Sequence, residues 1–131
     1  MRSSDVMEIE KTLTQYLHAL QKGSYEDIIE LFAEDAVINS PLYGKVKASH
    51  FYEELLKDTQ KSEITLLNIF FNESRSVGAV HFLYKWILNN GKITSFECVD
   101  IVEFSDNGKI RQLTIIYDTY GTREGFEKMK E

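Results

Sequence analysis

Apolar residues in the first half of the chain recur mainly at helical spacing, and from about residue 63 they recur at every second position, so the chain passes from helices to strands. Ile9, Leu13, Tyr16, Leu17 and Leu20 share one face of a helix predicted from about Asp5 to Lys22. Gly23 ends it, and Ser24 with Asp27 three positions on resembles a capping box opening a second helix, with Ile28, Ile29, Leu31 and Phe32 on its apolar side. Ala36-Val37-Ile38-Asn39 reads as a short strand, stopped by Ser40-Pro41 and a loop through Tyr43-Gly44. Ala48, Phe51, Tyr52, Leu55 and Leu56 then line a third helix from about Val46 to Asp58.

Beyond this the segments 63–71, 75–88, 92–105 and 109–118 are rich in Val, Ile, Thr, Phe and Tyr. Asn72-Glu73-Ser74, Asn89-Asn90-Gly91 and Asp106-Asn107-Gly108 part them as hairpin turns, which makes the sheet an antiparallel meander. Helices followed by strands imply an α+β domain, with three helices packed on one face of a curved, mainly antiparallel sheet. Such long strands twist and curl, which favours a pocket between sheet and helices. Residues 1–131 form a single domain, with 121–131 as a loose or weakly helical tail.

The strand from Phe96 to Phe104 carries the first chemical signal. Phe96, Cys98, Val102 and Phe104 share a face with Asp100, which sets a carboxyl among apolar side chains. A carboxyl there either rises in pKa or finds a donor, and both outcomes mark a candidate functional group. Tyr16 adds a second one, a phenol on the buried stripe of the first helix. Cys98 reads as a small core residue rather than a reactive thiolate, because its face is apolar and no cation is adjacent in sequence.

At 131 residues the chain buries enough surface to fold without staples. A net charge of −6 with no cluster of basic residues argues against nucleic acid and anionic membrane surfaces. No apolar run reaches the length of a spanning helix, and Met1-Arg2-Ser3-Ser4 does not begin a signal peptide. A single cysteine allows no internal disulfide, so a reducing cytoplasm is the expected compartment. The chain has no metal-ligand spacing, phosphate-binding loop or nucleophile elbow, so neither metal nor cofactor is expected. The expected partner is an apolar small molecule. Val99, Ile101, Ile110 and Ile116 fall on the outward face of the last two strands, which predicts a homodimer through that face with Glu97 and Glu103 at its rim.

Three segments, Tyr16-Leu17-His18-Ala19-Leu20-Gln21-Lys22-Gly23, Leu31-Phe32-Ala33-Glu34-Asp35-Ala36-Val37, and Pro41 with Gly44 ahead of the third helix, together resemble the NTF2-like superfamily. The resemblance is to its branch of ketosteroid isomerases and SnoaL-like polyketide cyclases, and it covers about residues 6 to 118. It implies a cone, a curved sheet wrapped around helices with a pocket at the wide end, and a function ranging from isomerase, cyclase, hydrolase or dehydratase to non-catalytic binding. Tyr16 is similar to the oxyanion-hole tyrosine of the isomerases and Asp100 to their protonated oxyanion-hole acid. Where those enzymes place a general-base aspartate before a proline, this chain has Ser40-Pro41, which argues against steroid-type isomerisation.

Register decides what stands beside Asp100. A two-residue turn at Asn90-Gly91 sets His81 opposite Asp100 as an acid/base pair, whereas a three-residue loop turns Val80, Phe82, Tyr84 and Trp86 inward and His81 out. Turn chemistry and the family resemblance favour the first, so His81 joins Asp100 and Tyr16 as a candidate catalytic residue. A two-residue turn at Asn107-Gly108 sets Asp100 opposite Ile115, so Leu113, Ile115 and Tyr117 join Phe96, Cys98 and Val102 in the pocket wall. Ser40 and Tyr43 stand at its mouth, Tyr43 as a lid aromatic. Two readings stay open. One is an acid/base enzyme acting on an apolar carbonyl, hydroxyl or epoxide compound; the other is a binding protein of the same fold.

Overall fold

The computed structural model describes residues 3–131; Met1 and Arg2, at the start of the segment examined for a signal peptide, lie outside them. The chain runs α1 (Ser3–Lys22), α2 (Tyr25–Ile29), β1 (Phe32–Ser40), β2 (Gly44–Lys47), α3 (Ala48–Asp58), β3 (Thr59–Phe71), β4 (Val77–Leu88), β5 (Ile93–Phe104), β6 (Ile110–Ile116) and α4 (Tyr120–Lys130). The α+β expectation holds, as a six-stranded curved sheet in the order β2-β1-β6-β5-β4-β3. All pairings are antiparallel except that of β1 with β6. Among the described residues, no helix is long and apolar enough to cross a membrane.

The stripe on α1 buries Leu13, Tyr16, Leu17 and Leu20 against the concave face. Gly23 ends the helix with φ at 76°, and the Gly23 and Ser24 amides both donate to the Ala19 carbonyl. Ser24 Oγ then caps α2 by accepting from the Asp27 amide. That helix is one short turn, and Phe32 belongs to β1, where it pairs with Ile110 of β6. Val46, expected at the start of the third helix, lies instead in β2 and pairs with Ile38. The tail is an ordered helix. Phe126 and Met129 of α4 pack on the core, and buried Thr122 shares a 2.8 Å hydroxyl hydrogen bond with Thr94 of β5.

The loop between β4 and β5 takes three residues, Asn89 to Gly91, closed by the Leu88 amide on the Lys92 carbonyl and the Gly91 amide on the Leu88 carbonyl. Gly91, with φ at 85°, supplies the left-handed position of that loop. Val80 therefore pairs with Asp100, and His81 with Val99. The two-residue turn is overturned by packing. Pointing Phe82, Tyr84 and Trp86 inward gains roughly 1.5 to 3 kcal/mol for each ring, more than a preference between turn types.

The loop between β5 and β6 also takes three residues, Asp106 to Gly108, closed by the Ser105 amide on the Lys109 carbonyl. By itself this would slip the register by one. A bulge at Arg111 restores it, because Phe104 pairs with Ile110 while Glu103 pairs with Gln112. Asp100 thus faces Ile115, as expected from a different turn. Ile110 lies before the bulge and turns inward, fully buried, rather than contributing to the outer face.

Candidate active site

Between the sheet and the helices lies a cavity with about 40 Å³ open to water-sized molecules, within an envelope of about 450 Å³. Asp100 enters it from β5, Tyr16 from α1, Ser40 from the end of β1 and Tyr43 from the loop after it. Phe96, Cys98, Ile115 and Tyr117 line it as expected from alternation. Val102 and Leu113 pair with each other deeper in the cone, fully buried in the core, and do not reach the cavity.

The aromatic wall supplied by β4 belongs to the alternative register, with Tyr84 and Trp86 inward, that the turn chemistry disfavours. Tyr84 stacks on Phe96 with ring centroids 5.2 Å apart, and Phe96 on Tyr117 at 4.0 Å, so three rings form one continuous surface. Trp86 extends the wall and donates its indole N–H to Thr59 Oγ1 at 2.8 Å. The alternation that turns Tyr84 and Trp86 inward was visible in the chain, but only the three-residue loop selects it.

Asp100 is 2 % exposed, and burial raises its pKa from the ordinary 3.8 to about 7, with a thiol hydrogen bond from Cys98 pulling the other way. That bond runs from Cys98 Sγ to Asp100 Oδ1 at 3.3 Å. Oδ2 has no side-chain or backbone donor among the described residues, and it is not sealed off as an orphan, so it opens into the cavity. Burial also pushes the Cys98 thiol far up, as expected of a protonated pocket residue rather than a nucleophile.

Tyr16 shares a 2.7 Å hydrogen bond with Tyr52, both buried, and burial raises both phenols well above 10, with the nearby Asp100 adding to the rise. Tyr52 was legible only as a core position on α3; a phenol on a buried stripe always requires a partner, and that was its available signal. Tyr43 donates to Asp58 Oδ2 at 2.7 Å, and its ring packs edge-on against Phe51 and Phe126. Lys130 Nζ reaches the same Asp58 oxygen at 2.7 Å, so α4 is tied to Asp58 beside Tyr43. Ser40 Oγ accepts from the Leu42 and Tyr43 amides, which commits that oxygen to the turn.

His81 is a correction. It projects from the outer face, its Nε2 2.6 Å from Glu97 and its Nδ1 3.1 Å from Asn68, with the whole sheet between it and the cavity. Among the described residues no cluster of His, Cys, Asp and Glu is arranged to hold a metal ion.

This geometry is accompanied by a family match: residues 13–113 match the SnoaL-like domain. The chain belongs to the SnoaL-like family. The SnoaL-like fold is shared by solved structures of low identity. One is AclR, a putative hydroxylase from Streptomyces galilaeus, with a TM-score of 0.73 and 16% identity over 93% of this chain and 97% of that one. The epoxide hydrolase/cyclase-like enzyme SalBIII of salinomycin pyran formation is similar at TM-score 0.75 and 16% identity, covering 89% of this chain and 95% of its own. An LEH-like epoxide hydrolase of M. tuberculosis is similar at 0.73 and 16%, covering 95% and 92%. At these identities the likeness carries the fold, not a reaction.

Proposed function

We propose that this SnoaL-like protein performs acid/base chemistry on an apolar small molecule bearing a carbonyl, hydroxyl or epoxide oxygen, with Asp100 and Tyr16 as the groups that meet that oxygen. The observation that carries the reading is the Asp100 carboxyl: 2 % exposed, raised to about 7, and open to an aromatic-walled cavity through Oδ2. A carboxyl with that pKa is divided between acid and base near neutral pH, so it can give a proton to an oxygen or take one from it. The Tyr16 hydroxyl, whose 2.7 Å hydrogen bond with Tyr52 can run in either direction, offers a second donor in a water-poor site when Tyr52 donates to it. Among the described residues no cation lines the cavity, which suits a neutral ligand. The likeness to epoxide hydrolases supports this chemistry, and Ser40 argues against steroid-type isomerisation.

The test is turnover of a panel of apolar epoxides and enones by the wild type and by Asp100→Asn and Tyr16→Phe. Turnover lost in Asp100→Asn while a ligand still binds supports the enzyme. Equal turnover in all three would overturn the assignment. A second reading, a binding protein without catalysis, is favoured by one observation, the commitment of Ser40 Oγ to the turn where the family's base stands. Tight binding with no turnover of any panel member would select it.

We further propose that a second copy of the chain covers the outer face of the sheet, within a reducing cytoplasm. Phe70, Leu83 and Ile116 stand 57%, 45% and 53% exposed around the half-buried Val99 and Ile101. The carboxylates of that face already have partners within the chain, Glu97 with His81 and Glu103 with Arg111, which removes the like-charge objection to isologous pairing.

A further inference from the structure

Cys98 and Asp100 lie two residues apart on β5, so both side chains reach the cavity from the same face of one strand. Both are 2 % exposed, and the thiol is the donor in their 3.3 Å contact. The thiol therefore engages one oxygen of the carboxyl, and the other oxygen faces the cavity.

A neutral carboxyl has one oxygen that only accepts and one that carries the proton. An S–H aimed at Oδ1 occupies its lone pair and opposes an O–H on the same atom. We propose that Cys98 is a positioning residue for Asp100: its thiol holds Oδ1 as the carbonyl oxygen and so fixes the acid proton on Oδ2, where it meets the ligand. The proposal rests on the reading of Asp100 as a neutral donor and adds which oxygen donates and why. It also gives Cys98 a role after proton transfer. When the Oδ2 proton passes to a ligand oxygen, the negative charge left on the carboxyl is shared with Oδ1, and the same S–H stabilises it there.

The test needs no ligand. The Asp100 carboxyl, ¹³C-labelled, is titrated by NMR in the wild type, Cys98→Ala and Cys98→Ser, and the S–H stretching band of the wild type is followed over the same titration. Cys98→Ala should raise the Asp100 midpoint by roughly half to one pH unit, because it removes a donor that favours the carboxylate. Cys98→Ser should return the midpoint to the wild-type value or below it, since a hydroxyl is the stronger donor. The S–H band of the wild type should move to lower frequency as Asp100 ionises. A midpoint indifferent to all three side chains, or an S–H band that ignores the titration, overturns the proposal; the band experiment stands even if a variant fails to fold. An Asp100 that titrates in the ordinary carboxylate range in the wild type sinks the neutral-donor reading instead, so the two failures are told apart.

Discussion

Asparagine in place of Asp100 keeps the planar shape and a carbonyl oxygen for the Cys98 thiol, and removes the ability to ionise. The wild-type group has a folded pKa of about 7 against an ordinary 3.8. Between those values the folded chain holds a proton that the unfolded chain has lost, so stability falls as pH rises through this window and levels off above it. Full ionisation costs about 4 kcal/mol, a difference of 7 less 3.8 pH units at about 1.36 kcal/mol each. Between about pH 5 and about pH 8 the cost grows by roughly 2 to 3 kcal/mol, since part is already incurred at the lower pH. Asp100→Asn lacks this term, so its stability relative to the wild type should improve by that amount across the interval. Thermal unfolding followed by circular dichroism reads this as a change of roughly 8 to 12 °C in the difference between the two Tm values. Any fixed cost of the amide cancels, because it is the same at both pH values. A Tm difference that does not change with pH would refute the placement of a neutral carboxyl at this position.

Three further outcomes are expected. Tyr16→Phe leaves the Tyr52 hydroxyl buried without its 2.7 Å partner and should cost roughly 1 to 3 kcal/mol in urea unfolding, much of it recovered when Tyr52→Phe is added; additive losses would show that the two phenols are not coupled. Ile116→Lys should turn a dimer into a folded monomer by light scattering, and a wild type already monomeric at micromolar concentration would end the dimer proposal. Phe126→Ala removes the ring that meets Tyr43 at 5.1 Å and should raise amide exchange across residues 120–130 at least several-fold, leaving β4 and β5 protected; unchanged exchange would mean that Lys130 and Thr122 alone hold α4 down.

Local pattern determined much of this protein. The alternation of Phe96, Cys98, Val102 and Phe104 around Asp100 was enough to predict that the carboxyl is buried, because neighbours two apart on a strand share one environment. The α1 stripe, the Gly23 stop and the hairpin positions were equally legible, since each depends on residues within a few positions of one another. The tertiary structure decided whatever required comparing distant parts of the chain. His81 was assigned to the pocket from turn chemistry and the family resemblance, and the burial of Phe82, Tyr84 and Trp86, summed along the strand, outweighed that preference and sent it outside. Asp100 does face Ile115, but through a three-residue loop and a bulge at Arg111, two offsets that cancel at Ile115 and not at Ile110. The Tyr52 partner of Tyr16 and the packing of α4 on Tyr43 join elements far apart in sequence, and local pattern names neither pairing. Alternation says which residues are inward within one strand; which inward residues meet is settled only when every strand and helix must pack against the same cone at once.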